Sequence, residues 1–267
     1  MGFVASVGKG LFDRTVWETR VLAGGGIADF KDNELLCFMM LEKQTRLHAI
    51  GLDPSKTKLT AMVDDAVADP TKKIHLAVSG AFQLPGRSEG SLMGHVYQGV
   101  GGRVRGAPAS GTRGFLVYNK AFAAFQAPIQ FGQGDTAAGF SSASLFDAGF
   151  TGLIPLVMGK SAVGAANDLF QSASPGSAIG RTVVAHHSQS GLLLVVVNKH
   201  PFLGRFGGSG PNLFQLMGKL VDAGADDAVS SDGSDSVFVN FRKAFVERPS
   251  DRKDGINITA MGFSFEP

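Results

Sequence analysis

Apolar and polar positions alternate over short runs through most of the chain, and the apolar members are chiefly β-branched or aromatic. This pattern predicts strands at 35–41, 46–52, 58–63, 74–79, 114–118, 154–158, 182–186, 192–198, 237–241 and 256–263. Two of these form a hairpin, with 182–187 turning at 188–191 into 192–197. The second arm, Leu192-Leu-Leu-Val-Val-Val197, is apolar at every position, which predicts a strand buried on both faces.

Helical spacing is clear in one place. Leu213, Leu216, Met217 and Leu220 recur three and four residues apart. Pro211 suits the first turn, and Gly224 suits the left-handed position past the end. A weaker helical pattern runs through 162–170, and 64–68 is only a turn long. Segments 83–113 and 131–150 are rich in Gly, Ser, Gln and Arg without periodicity and read as long loops. The acidic stretch 225–236 reads as another, and loops of this composition are where binding and catalytic groups concentrate. The expected class is α+β: a mixed, largely antiparallel sheet with a few helices. An N-terminal segment, 1–44, is expected to pack on a main domain, 45–267.

Composition narrows the function. With 267 residues, 44% hydrophobic and 18% charged, the chain can bury a substantial core and is not of the disordered class. Thirty-six glycines fit many turns and close backbone approaches, not a helix-rich protein. A net charge of +2 without a long basic run gives no footprint for nucleic acid. No apolar run reaches the ~20 residues of a membrane-spanning helix. Cys37, the only cysteine, sits in an apolar run and reads as a core residue; alone, it forms no internal disulfide. The first residues lack the pattern of a Sec signal, so the expected location is cytoplasmic or reached by a non-Sec route. Gly2 and Ser6 fit the loose myristoylation pattern.

Six blocks, in order from about Leu47 to Gly262, carry a resemblance. Leu47-His-Ala-Ile-Gly-Leu-Asp-Pro-Ser55 is an early strand ending in an Asp-Pro turn. Ile74-His-Leu-Ala-Val-Ser-Gly-Ala-Phe82 and Phe150-Thr-Gly-Leu-Ile-Pro-Leu-Val-Met-Gly-Lys160 follow. Gly180-Arg-Thr-Val-Val-Ala185 comes next with its paired strand at 191–197, then the helix and Gly-Ala connection at 212–228, then Ser231-Asp-Gly-Ser-Asp-Ser236. Together they resemble the phosphodiester glycosidase family. The second block is similar to the family's Ala-x-Asn-Gly-Gly-Phe-Phe, and the last to its Leu-Asp-Gly-Gly-Gly-Ser. Here Ser79 replaces the Asn, Ala81 a Gly, Gln83 an aromatic, and Ser234-Asp235 two glycines.

The resemblance implies a mixed α+β fold and hydrolysis of a sugar linked through a phosphodiester, with a phosphorylated sugar or glycan as partner. Arg181 is then the phosphate clamp, because guanidinium presents a fixed fork to two oxyanion oxygens; the alternative is a structural salt bridge to a loop aspartate. Asp232 is the candidate for acid–base or nucleophilic work at the anomeric carbon; the alternative is a turn aspartate bonded to its own backbone. Ser79 is the third catalytic candidate. Gly233, Ser234 and Ser236 would offer amides and hydroxyls to phosphate. Phe82, His95 and His187 complete the expected lining, although a histidine on a strand also serves as a structural residue. Asp232 and Asp235, with Asp226 and Asp227 nearby, would gather a divalent cation such as Ca²⁺ or simply form a solvated acidic loop. Twenty-one phenylalanines against one Trp and two Tyr favour core building over sugar stacking. The departures at Ser79 and Ser234-Asp235 motivate a second reading, a catalytically inactive member serving binding or assembly.

Overall fold

The computed structural model describes residues 28–31, 35–51, 53, 55–83, 92–99, 103–106, 113–124, 126–133, 146–163, 179–189, 191–198, 212–233, 236–256 and 258–265. The strands, in chain order, are β1 (Ala28–Lys31), β2 (Leu35–Leu41), β3 (Thr45–Gly51), β4 (Ile74–Ser79), β5 (Val96–Gln98), β6 (Arg103–Arg105), β7 (Gly114–Tyr118) and β8 (Ile129–Gln133). They continue as β9 (Ala148–Met158), β10 (Ser161–Ala162), β11 (Arg181–His187), β12 (Leu192–Asn198), β13 (Asp227–Ser230), β14 (Val239–Phe241), β15 (Ala244–Glu247) and β16 (Thr259–Phe265). The α-helices are α1 (Leu59–Ala68), α2 (Leu213–Asp222) and α3 (Asp251–Ile256).

The strands form two sheets. The larger runs β1-β2-β12-β11-β13-β9-β5-β6, with β7, β8 and β10 joined through β9 and β7. The smaller runs β15-β14-β4-β16-β3. Every strand ladder among the described residues is antiparallel.

The alternation of side chains along each strand builds three apolar layers. Leu193, Val195 and Val197 of β12, Val184 of β11 and Val229 of β13 face Leu76 and Val78 of β4 and Met261 and Phe263 of β16 in a core between the sheets. The intervening residues, Leu194, Val196, Val183, Ala185 and Ala228, point to the opposite face and meet Leu213, Leu216 and Leu220 of α2. On the far side of the smaller sheet, Ala77 and Ala260 pack against Leu59, Met62, Val63 and Val67 of α1. The molecule is therefore layered helix, sheet, sheet, helix. The continuous apolar run of β12 follows from its place between two of these layers.

Helix α2 begins where Asn212 accepts a hydrogen bond from Gln215 N, while the Gln215 side chain accepts from Asn212 N, a reciprocal cap worth about 1 kcal/mol. It ends at Gly224, whose φ of +83° is the left-handed position expected of it.

Several expectations are corrected. Residues 58–63 do not form a strand but open α1, whose apolar stripe continues through Ala66 and Val67. No local side chain caps α1. Asp254 of α3 does so instead, accepting from Thr60 N at 2.7 Å and Thr60 Oγ1 at 2.9 Å. The run 256–263 is divided: α3 occupies its start, and β16 begins at Thr259. The acidic loop 225–236 contains β13, a strand central to the larger sheet. The first long loop contains β5 and β6, the second begins inside β8 and runs into β9, and β9 starts six residues earlier than Ile154. Ala162 lies in β10, and the remainder of the weaker helix at 164–170 lies outside the described residues. So do Gly2, Ser6 and Pro211, while Cys37 is paired in β2 opposite Val196.

Candidate active site

The sheets are joined where the chain leaves β13 and crosses to β14. Ser231 N donates to Thr182 O at 2.9 Å, extending the β13–β11 ladder by one step. The chain then turns toward the end of β4. Asp232 N donates to Gly80 O at 3.1 Å, and Ser231 Oγ to Ser79 O at 2.9 Å. Ser79 Oγ donates to Ser236 O at 3.0 Å, and Ser236 N to Gly233 O at 3.1 Å. Residues from three sequence blocks, at 79–80, at 182, and at 231–233 with 236, thus meet at one junction.

Gly233 is sterically required there. A Cβ on it would lie 2.6 Å from Gly180 O and 3.6 Å from Arg181 Cδ. The turn passes directly over the base of the Arg181 side chain. Arg181 is 4% exposed, and burial pulls its pKa down to about 10, so the guanidinium remains a cation at neutral pH. Asp232 is partly buried and its Oδ1 accepts from Gly233 N at 2.9 Å. This is the turn-stabilising bond of an Asp-Gly pair, formed beside a buried cation.

Two hydroxyls at this junction, Thr182 Oγ1 and Ser236 Oγ, are buried without a protein partner among the described residues. Such groups are rare in folded proteins; by strand alternation Thr182 shares the inter-sheet face of Val184, opposite Arg181. Ser236 was expected at the site; Thr182 was not, although it follows Arg181 directly.

Phe82 lies two residues beyond Gly80, and Arg113 stands over its ring at 5.9 Å. Arg113, at 5% exposure, is a second buried cation. Sequence reading missed it. A single arginine before an apolar strand, at the end of a glycine-rich stretch, carries almost no signal. His95 leads into β5, where its N donates to Thr151 Oγ1 at 2.6 Å and its ring meets Tyr97 edge-on at 6.1 Å. It belongs to the β5–β9 seam.

His187 is at the other end of β11 from Arg181, six residues and about 20 Å along the strand. Its Nε2 lies 3.5 Å from where a Gly224 Cβ would stand, and burial lowers its pKa. The structure therefore does not bring His187 to the Asp232 turn. Asp226 and Asp227 also lie at that far end. Asp226 Oδ2 accepts from Ser188 N at 2.6 Å, and Asp227 Oδ1 from Gly159 N at 3.0 Å. His186 stands there between two carboxylates, 2.9 Å from Asp227 Oδ2 and 3.3 Å from Glu42 Oε1, with Phe131 stacked on its ring at 4.7 Å.

Ser234, Asp235 and His200 lie outside the described residues. Among the described residues, no three His, Cys, Asp or Glu side chains gather in a metal-holding group. Asp226 and Asp227 are turned to other partners at the far end of β11, away from Asp232. No helix among the described residues is long and apolar enough to cross a membrane.

No protein-family model matches the chain, and no curated protein matches it. Solved structures do. The fold is similar to the zebrafish N-acetylglucosamine-1-phosphodiester alpha-N-acetylglucosaminidase catalytic domain auto-inhibited by pro-peptide, with a TM-score of 0.62. The match has 16% identity and covers 93% of this chain and 85% of that one. A hypothetical protein from Synechocystis is similar with a TM-score of 0.51 and 12% identity, over 92% of this chain and 60% of that one. At these identities the likeness is one of fold: a mixed α+β architecture of two antiparallel sheets flanked by helices.

Proposed function

We propose that the chain is a glycoside hydrolase that cleaves a sugar-1-phosphodiester or a related phosphorylated glycan at the junction of Arg181 and the Asp232 turn. The observation that carries the reading is the buried Arg181 cation packed beneath Gly233, in the turn that also carries Asp232. The similarity of fold to a phosphodiester α-N-acetylglucosaminidase supports it.

Such hydrolysis breaks the bond between the anomeric carbon and the phosphate oxygen. Water adds to the sugar, and the phosphate leaves as a monoester with one more negative charge than it had in the diester. A fixed guanidinium beside the departing oxygens favours that step, because its interaction strengthens as charge develops. Arg181 fills this role, with the Ser236 hydroxyl as a further donor. The Asp232 carboxylate acts at the anomeric centre, as carboxylates do in most glycosidases. Phe82, backed by Arg113, forms one wall. Ser79 is a positioning residue, since its hydroxyl is directed to Ser236 O.

A second reading, binding without turnover, rests on Asp232 being engaged by its own turn amide and on serine at position 79. A fluorogenic GlcNAc-1-phosphodiester separates the two. The hydrolase reading expects release by the native protein and none by Asp232→Asn. Ligand binding with no release across several sugars selects the second reading. Release that survives Asp232→Asn removes the assignment of that residue. Parallel assays with EDTA test for a metal requirement.

A further inference from the structure

A cavity of about 480 Å³ opens between the ends of the two sheets, lined by residues that include Arg46, His48, Lys72, Gln98, Lys120 and Asp147. It is remote from Arg181. Asp147 precedes the first residue of β9, whereas β13 leads into the Asp232 turn from opposite Ile154, about 20 Å along that strand.

Its charge is distinctive. Three permanent cations, Arg46, Lys72 and Lys120, line one concavity in a chain whose net charge is only +2. The lining has one carboxylate, Asp147, and its Oδ2 accepts from Lys120 N at 2.7 Å. Lys72 has an ion pair with Asp69 at 3.4 Å, but the lysine is exposed and the aspartate partly so, and such surface pairs contribute little and rearrange readily. The walls are fixed independently of the cations. His48 Nε2 is 2.7 Å from Ser264 Oγ, and Gln98 Nε2 donates to Gly51 O at 3.1 Å across the seam between the sheets. β3, which supplies Arg46 and His48, is the outermost strand of its sheet, so its open edge borders the cavity. The volume lies within the range of small-ligand sites.

We propose that this cavity is a binding site for a phosphate group, free or carried as a monoester, held by Arg46, Lys72 and Lys120. Arginine supplies the planar fork, and the lysines supply mobile charge at the rim. The site stands whether or not the Arg181 junction is catalytic.

The test is an NMR titration of the full chain with inorganic phosphate, followed at backbone amides and repeated with glucose 6-phosphate. Saturable shifts at Leu47, Gln98, Gly99 and Lys120 are expected. Tighter binding of the ester would identify a sugar phosphate as the source of the group, and equal or weaker binding the free anion. Lys72→Glu with Lys120→Glu, both at exposed positions, is expected to weaken binding about tenfold or more. Lys72→Arg with Lys120→Arg retains it and controls for folding. No shifts at these amides in the native protein, or an affinity unchanged by the double glutamate substitution, overturns the proposal. Amides at Gly180 and Asp232 report the other site separately, so failure of one reading is distinguishable from failure of the other.

Discussion

Ser79 at the end of β4 donates its hydroxyl to Ser236 O across 3.0 Å, joining positions 157 residues apart and tying the smaller sheet to the crossing turn of the larger. Both residues are buried. Ser79→Ala leaves the Ser236 carbonyl without its donor, a loss of about 1–3 kcal/mol. The expected result is a lower urea midpoint together with a higher KM, because the turn holding Asp232 loses one anchor. A large fall in kcat with an unchanged midpoint would instead make Ser79 a nucleophile.

Gly233 gives a sharper test of the same turn. A methyl group there meets Gly180 O at 2.6 Å, so backbone must move, and the contact carries the displacement to Arg181. Gly233→Ala is expected to reduce kcat/KM about a hundredfold, the scale of a 1 Å misplacement of reacting groups. Gly218→Ala is the control. Nothing lies within 4 Å of its Cβ position, and the helix gains about 0.5–1 kcal/mol. Equal activity in the two variants would remove Gly233 from the site.

The histidine at the far end of β11 makes stability depend on pH. Burial opposes the charge on His186, but its hydrogen bonds to Asp227 and Glu42, and the charges of both, outweigh that and raise its pKa from 6.5 to about 9. A group whose pKa is raised by folding stabilises most when protonated in both states. The contribution is therefore fully present below about pH 6.5 and is lost as pH rises through about 9, an amount on the order of 3 kcal/mol. Thermal melts of the native protein should fall across this window. His186→Gln should melt lower at pH 6 and show a flatter profile. A slope unchanged in the variant would assign the pH dependence to other groups.

The legible parts of the fold are those in which the pattern is self-sufficient. β2, β4, β7 and β12 have the expected bounds because each is a mainly apolar run, interrupted within only by His75 of β4, with polar or glycine positions on either side. The start of α1 mimics a strand because Leu59 to Val63 is also a short, mainly apolar run, and its cap, Asp254, lies 194 residues from Thr60. β13 begins with an aspartate and is only four residues long; its burial comes from β11 and β9 on either side, which no local window contains. At the site, spacing alone did not place Arg181, Ser79 and Asp232 together; the order of the six blocks suggested it. The distance of His187 from the Asp232 turn has a simple reason. A seven-residue strand separates its ends by about 20 Å, so residues on one strand need not share a site.

Asn240 is the clearest target for stabilisation. It is 1% exposed in β14, opposite Ala77 of β4, and neither its Oδ1 nor its Nδ2 has a partner among the described residues. An amide buried in this way costs stability, because it gives up its bonds to water and gains none in return. Leucine has the same branched skeleton of four side-chain heavy atoms and carries no polar atom. Asn240→Leu is therefore expected to stabilise the protein by about 1–2 kcal/mol, raising Tm by a few degrees. Asn240→Ala also removes the amide but opens a cavity, so its gain should be smaller or reversed. Differential scanning calorimetry of the three proteins decides the matter. A lower Tm for the leucine variant would show that the amide is hydrogen-bonded in solution, and would make position 240 a polar site inside the smaller sheet.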